Sequence, residues 1–200
     1  MFNTDIERIE YCENEKYQII EYNEKKKKKK KEKKIHSESR EEYIQKVYPY
    51  IHTYDRKWLD NIFAHKKEQD RVLLETNEYI LLPDMHWKKF TQINKLHYLI
   101  FYKNEELKSI RDIQFKHMSL LYNSYLTAIQ LIKMIHVLDE SENLICEFHY
   151  HPSIWQLHCH IYIKTNKRYT TKYAYTINEI FNKTIQDPTY WNTAMLNYYI

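Results

Sequence analysis

A chain of 200 residues that contains no glycine is limited in the turns and ligand sites it can build. Glycine takes positive φ at no steric cost and lets a backbone approach a ligand closely. Without it, the Gly-rich phosphate loops of the P-loop and dinucleotide-binding kinds are excluded. Any phosphate site must be made of side chains. Turns must be built from Asn, Asp, Ser and Pro, as at Asn77, Asn104, Asn143 and Asp187-Pro188.

The stretch best able to supply such side chains is His149 to Ile163, HYHPSIWQLHCHIYI. In an extended strand successive side chains alternate faces, which puts Gln156, His158 and His160 on one side and Leu157, Cys159 and Ile161 on the other. A neutral imidazole nitrogen is a good nucleophile toward phosphorus, and donors beside it can hold phosphate oxygens while bonds change. Two simpler readings compete. A zinc site is disfavoured because no further Cys or His sits nearby at a ligand spacing. The polar face of an ordinary strand is the better reading of His-x-His in isolation.

The upstream residues change that balance. HYHPSIWQLHCHI resembles the active-site strand of the histidine-triad (HIT) hydrolases, and within them the scavenger mRNA-decapping family (DcpS). That family reads His-Tyr-x-Pro-Ser-Tyr-Tyr-His-Leu-His-Val-His-Phe, with the middle His of the triad as nucleophile. His149, Tyr150, Pro152, Ser153, Leu157, His158 and His160 keep the frame. Ile154 stands where the family has a phosphate-contacting Tyr, and Gln156 where it has the first His.

Three further motifs follow in family order. ESREEYIQKVYPYI followed by KWLDNIFAHKKEQDRVLLE is similar to the family's hinge between a small N-terminal domain and the HIT core. It places Trp58 on the tryptophan that stacks on methylated guanine, and Glu68 on the carboxylate that reads the base edge. A 7-methylguanine is cationic, so an indole face attracts it by about 1 to 2 kcal/mol when desolvated. Leu82-Pro83-Asp84-Met85-His86-Trp87 resembles Leu/Ile-Pro-Asp-x-Lys-Trp, so Asp84 falls on a nucleoside contact and His86 replaces a phosphate-binding Lys. Ser109-Ile110-Arg111-Asp112 resembles the lead into the family's long helix, and Lys172 is the nearest cation to the position of a later phosphate-binding Arg.

Periodicity gives the elements. Ser39 with Glu42 predicts a capping box opening a helix to Ile51, and a second helix covers Arg56 to His65. Arg71–Glu75 and Glu78–Leu82 read as a hairpin, with further strands over Leu96–Tyr102, Asn143–Tyr150 and the His-rich stretch. A long helix over Gln114–Val137 carries a stripe of Met118, Leu121, Tyr125, Ala128, Ile129, Ile132 and Ile135, with His117 and His136 expected to be exposed. Another helix covers Tyr175 to Ile185. Near the start, Tyr17–Tyr22 has the pattern of a short strand, and the lysine run Lys25–Lys31 predicts a mobile segment over about residues 24–38. An import signal or an RNA-attracting patch is the functional reading of that run. Net charge is only +4, so the chain as a whole is no general nucleic-acid binder.

Cys12, Cys146 and Cys159 are widely spaced and odd in number, which predicts reduced thiols. MFNTDIERIE lacks a signal-peptide core and no run approaches the ~20 apolar residues that span a bilayer, so the expected setting is cytoplasmic or nuclear, without a membrane partner.

The expected architecture is α+β: a HIT-like antiparallel sheet with a long packed helix over residues 56–200, preceded by a shortened N-terminal appendage and hinge over 1–55. The resemblance implies hydrolysis of the 5′–5′ triphosphate of 7-methylguanosine cap dinucleotide or short capped RNA by a homodimer. In it His158 is the nucleophile, His160 and Gln156 its triad partners, Trp58, Glu68 and Asp84 hold base and ribose, and His86, His149, Ser153 and Lys172 hold phosphate. It requires neither metal nor cofactor. A HIT hydrolase of other nucleotides and a non-catalytic cap-binding module are the alternatives.

Overall fold

The computed structural model describes residues 34–85, 87, 92–139, 143–163 and 173–199. The expected strand at Tyr17–Tyr22, the lysine run, His86 and Lys172 lie outside the described residues. One compact unit covers Ile35–Ile200, so residues 35–55, read from the sequence as part of an appendage, belong to it.

The unit opens with β1 (Ile35–Glu38). Ser39 then caps α1 (Arg40–Glu42): its hydroxyl accepts from the Glu42 N–H and its own N–H donates to the Glu42 carboxylate, each at 3.1 Å. Here is the expected capping box. The helix expected to run on to Ile51 changes type instead, widening to a π turn over Tyr43–Val47 and tightening to a 3₁₀ turn over Tyr48–Thr53. Pro49 sits in the first turn of that 3₁₀ stretch, where its missing N–H costs least.

After α2 (Lys57–Phe63), the strands β2 (Leu74–Glu75) and β3 (Tyr79–Pro83) form the expected hairpin. Its turn is stabilised by the Thr76 hydroxyl, which accepts from the N–H groups of Glu78 and Tyr79 at 3.1 Å. Then come β4 (His97–Tyr102), α3 (Met118–His136), β5 (Leu144–Tyr150), β6 (His158–Ile163), β7 (Tyr173–Thr176), α4 (Ile177–Gln186), α5 (Tyr190–Thr193) and β8 (Leu196–Tyr199). A six-stranded antiparallel sheet has the order β2-β3-β4-β6-β5-β7, and β1 pairs with β8 in a second, two-stranded sheet. No helix among the described residues is long and apolar enough to cross a membrane.

Period-two alternation splits the large sheet into two unlike faces. Leu81, Tyr98, Ile100, Cys159, Ile161, Cys146 and Phe148 face a core shared with Leu121, Ala128 and Ile132 of α3 and Ile177 and Ile180 of α4. Cys146 and Cys159 are free, buried thiols. On the other face Ile80, Leu82, Leu99 and Phe101 are covered by Leu59 and Ile62 of α2.

The α3 stripe is narrower than the sequence pattern suggests: Ser124 joins it and Ile135 is exposed. The histidines expected to be exposed on this helix are not. His117 is buried and its Nδ1 accepts from the Gln114 N–H at 3.0 Å. His136 is half-buried, with Nε2 2.7 Å from the Tyr98 hydroxyl and its ring against Trp87. His117 closes the 3₁₀ turn Phe115–His117 that leads into α3, and His136 braces the end of the helix against Tyr98 of β4, local bonding roles that periodicity does not register.

Candidate active site

His158 is the first residue of β6, and its Nδ1 lies 2.7 Å from the backbone carbonyl of Gln156. A carbonyl only accepts, so Nδ1 carries the proton, and in the neutral ring the lone pair falls on Nε2. Phe101, its register partner on β4, stacks against the imidazole with ring centres 4.7 Å apart and 27° between planes. The nucleophile expected from the sequence is thus held in one tautomer and one orientation.

His160, two residues on, shares that face. Its Nδ1 is 2.9 Å from Nε2 of His97, and its ring stacks on His149 at 3.9 Å and 26°. His97 in turn places Nδ1 3.6 Å from a carboxylate oxygen of Asp84. On β5, His149 Nε2 is 3.5 Å from the Glu147 carboxylate. Burial, and then a hydrogen bond to Glu147, push the Tyr162 hydroxyl far above its usual pKa. Sheet order explains the gathering: β6 lies between β4 and β5, so Tyr162 is opposite His97 and His160 is opposite both Leu99 and Glu147. Asp84, His97, Glu147, His149, His158 and His160 are all buried. Charge and proton positions here are therefore set by neighbours and not by bulk water.

Gln156 is placed differently from the sequence expectation. The strand begins only at His158, and the Gln156 carboxamide, fully buried, turns toward the chain leaving β4. Its Nε2 donates to the carbonyls of Tyr102 at 2.6 Å and Asn104 at 2.8 Å, and its Oε1 accepts from Arg56 at 3.1 Å. Both amide donors are spent, so in this arrangement the side chain gives no N–H to a phosphate. Its backbone carbonyl, not its side chain, serves His158.

Trp58 and Glu68 are brought together as expected. Trp58 Nε1 donates to one Glu68 oxygen at 2.6 Å, and Arg71 donates to the other at 2.5 Å. Glu68 takes a left-handed backbone conformation, φ 56°, to reach this position. Arg71 also donates to the carbonyls of Pro83 and Asp84, which links the pair to the Asp84 loop. The Trp58 indole meets Phe101 edge-on at 5.9 Å, and Phe101 stacks on His158. An aromatic row thus runs from the expected base-binding residue to the expected nucleophile. Ser153 is exposed in the loop before β6, and Ile154 packs on the apolar cluster under α2.

No trio of His, Cys, Asp or Glu among the described residues is arranged to hold a metal ion. Four participants escaped the sequence reading: His97, Glu147, Arg71 and Phe101. Period two from the apolar Leu99 and from His149 carries the signal for His97 and Glu147, but only the sheet order makes them neighbours of His160.

A family model described as "Scavenger mRNA decapping enzyme C-term binding" matches residues 57–174. The curated m7GpppX diphosphatase of Schizosaccharomyces pombe is 30% identical over 131 residues, 62% of this chain and 42% of that protein. The m7GpppX diphosphatase of Caenorhabditis elegans is 27% identical over 161 residues, 75% of this chain and 50% of that protein. The chain therefore spans about half the length of the curated relatives it matches. Among solved structures, that of the aprataxin ortholog Hnt3 from Schizosaccharomyces pombe is 18% identical with a TM-score of 0.37, over 59% of this chain and 64% of that one. With the match covering more than half of its residues, and with Trp58, Glu68, Asp84, His149, His158 and His160 all inside that span, the chain belongs to the scavenger mRNA decapping enzyme family.

Proposed function

We propose that the chain hydrolyses the 5′–5′ triphosphate of 7-methylguanosine cap dinucleotide or short capped RNA, releasing 7-methylguanosine monophosphate. The observation that carries this reading is the hydrogen bond from His158 Nδ1 to the Gln156 carbonyl, which leaves Nε2 as the attacking nitrogen on a face lined by His149 and His160. Nε2 attacks the phosphorus bonded to the methylated nucleoside; the bond to the bridging oxygen breaks and the second nucleoside leaves as its diphosphate. Water then attacks the same phosphorus, the P–N bond breaks, and its electron pair returns to Nε2. The proton lost by the water balances the one taken up by the leaving diphosphate.

Around this step, His160 and His149 hold phosphate oxygens, and the Trp58 face attracts the cationic base. Glu68 is engaged by Trp58 and Arg71, yet each carboxylate oxygen keeps a further lone pair for the base N–H groups. Asp84 holds the ribose, and the homodimer implied by the family resemblance belongs to the same proposal.

A second reading, a cap-binding module without turnover, is favoured by one observation: the side chain in the place of the first triad His has both donors committed elsewhere. Incubation with 7-methylguanosine cap dinucleotide and its unmethylated counterpart, beside His158→Ala, separates the readings. Methyl-selective release of the monophosphate that vanishes in the variant is the expected result. Equal cleavage of both substrates indicates a general HIT hydrolase, and tight cap binding without product indicates the module.

A further inference from the structure

We propose that His97 is a positioning residue that fixes the tautomer of His160 and backs the proton that His160 presents to phosphate, with Asp84 as its counter-charge. The proposal rests on the site being a phosphate-handling one, and it adds a third link behind the His-x-His pair.

His97 begins β4 on the face that carries Leu99 and Phe101, and it is 1% exposed. Its ring lies nearly parallel to that of His160, 19° apart, with Nε2 2.9 Å from His160 Nδ1. Its Nδ1 is 3.6 Å from Asp84 Oδ2, and the Asp84 N–H donates to the His97 carbonyl at 2.9 Å, so backbone and side chain hold the same pair. The other titratable groups around the two rings, among the described residues, are Glu147 and His149 of β5 and His158 and Tyr162 of β6.

Two imidazole nitrogens 2.9 Å apart share one proton, so one ring donates and the other accepts. The carboxylate beside Nδ1 of His97 favours the proton there, which makes Nε2 of His97 the acceptor. His160 must then donate from Nδ1, and its Nε2 is the nitrogen left to take a proton. When one is added, it appears as an Nε2–H on His160, and the positive charge is backed through His97 by Asp84. If the added proton settles on His97 instead, His97 donates from Nε2 to His160, its charge lies beside the Asp84 carboxylate, and His160 is again the Nε2–H form. Both microstates present the same donor to a phosphate oxygen. A residue at position 97 without a ring nitrogen or amide ends this control.

The test reads the tautomer directly and apart from turnover. In ¹⁵N-histidine NMR of the ligand-free full chain, His160 is expected to be protonated at Nδ1, and in His97→Phe to become a mixture of tautomers. His97→Gln, whose amide oxygen can accept from Nδ1, is expected to restore the single tautomer; thermal unfolding of both variants shows that each is folded. With cap dinucleotide as substrate, His97→Phe is expected to lower kcat about tenfold or more with little change in KM, and His97→Gln to recover most of it. A His160 tautomer that ignores both substitutions overturns the proposal, as does an unchanged kcat in folded His97→Phe. Absence of cap hydrolysis by the unsubstituted protein overturns the proposed function alone, since the tautomer measurement still decides the role of His97.

Discussion

The Gln156 carbonyl decides where the proton of His158 sits, and in the proposed reaction that proton on Nδ1 decides which nitrogen attacks. That carbonyl is itself held in place by the Gln156 side chain, which bonds Tyr102, Asn104 and Arg56. Gln156→Ala therefore strips the buried Tyr102 carbonyl of its side-chain donor. It is expected to cost about 1 to 3 kcal/mol in denaturant unfolding and to lower kcat by loosening the His158 tautomer. Much of the residue-scale site was legible in the sequence: His158, His160 and His149 share one face as alternation requires. The Gln156 side-chain placement was not, because the start of β6 is set by bonds to Tyr102 and Asn104, far away in sequence. His97 and Glu147 lie outside any motif and join the site only through strand order.

At the scale of elements, the absence of glycine leaves a mark. α3 is closed by Val137, which lies just past its last residue and takes a left-handed φ of 51° where helices commonly place glycine. A β-branched residue is strained there by about 1 to 2 kcal/mol. Val137→Gly is expected to raise the unfolding free energy by about 1 kcal/mol, part of the gain being offset by glycine's greater freedom in the unfolded chain. α2 carries Trp58, which packs beside Leu59 and Ile62 on the sheet, the latter two fully buried. Leu59→Ala is expected to cost about 2 to 5 kcal/mol in unfolding and to weaken cap binding, measured by fluorescence titration, because Trp58 moves with its helix. The capping box at Ser39 and the hairpin at Thr76 were readable because a few adjacent residues specify them. The change from α to π to 3₁₀ before Thr53 was not, since Tyr43 and Ile51 set it by packing against Trp155.

For the molecule as a whole, the two sheets are tied by a buried arginine. Arg111 donates to the Tyr150 hydroxyl at 2.7 Å, the Glu38 carbonyl at 2.8 Å and the Ala194 carbonyl at 3.1 Å, and it lies beside the Glu38 carboxylate. Tyr150 and His151 also hydrogen-bond that carboxylate. Arg111→Met is expected to destabilise by about 3 to 5 kcal/mol, since it strands a buried charge. Burial pushes the Glu38 carboxyl up, but hydrogen bonds from His151 and Tyr150 and the charges of His151 and Arg111 outweigh it and hold the pKa below its ordinary 4.5. A carboxyl lowered in the folded state stabilises the fold fully above its unfolded value, and that stability is lost as pH falls through the folded value. Resistance to thermal unfolding is expected to fall below about pH 4.5, and Glu38→Gln to flatten that acid limb.

β6 lies in the interior of the large sheet, bonded on both edges by β4 and β5. Amide exchange with solvent there requires those ladders to part, so the deuterium uptake of residues 159–162 is expected to lag, while the 3₁₀ stretch Tyr48–Thr53 exchanges early. The periphery of the fold can then breathe while His158 and His160 keep their seats.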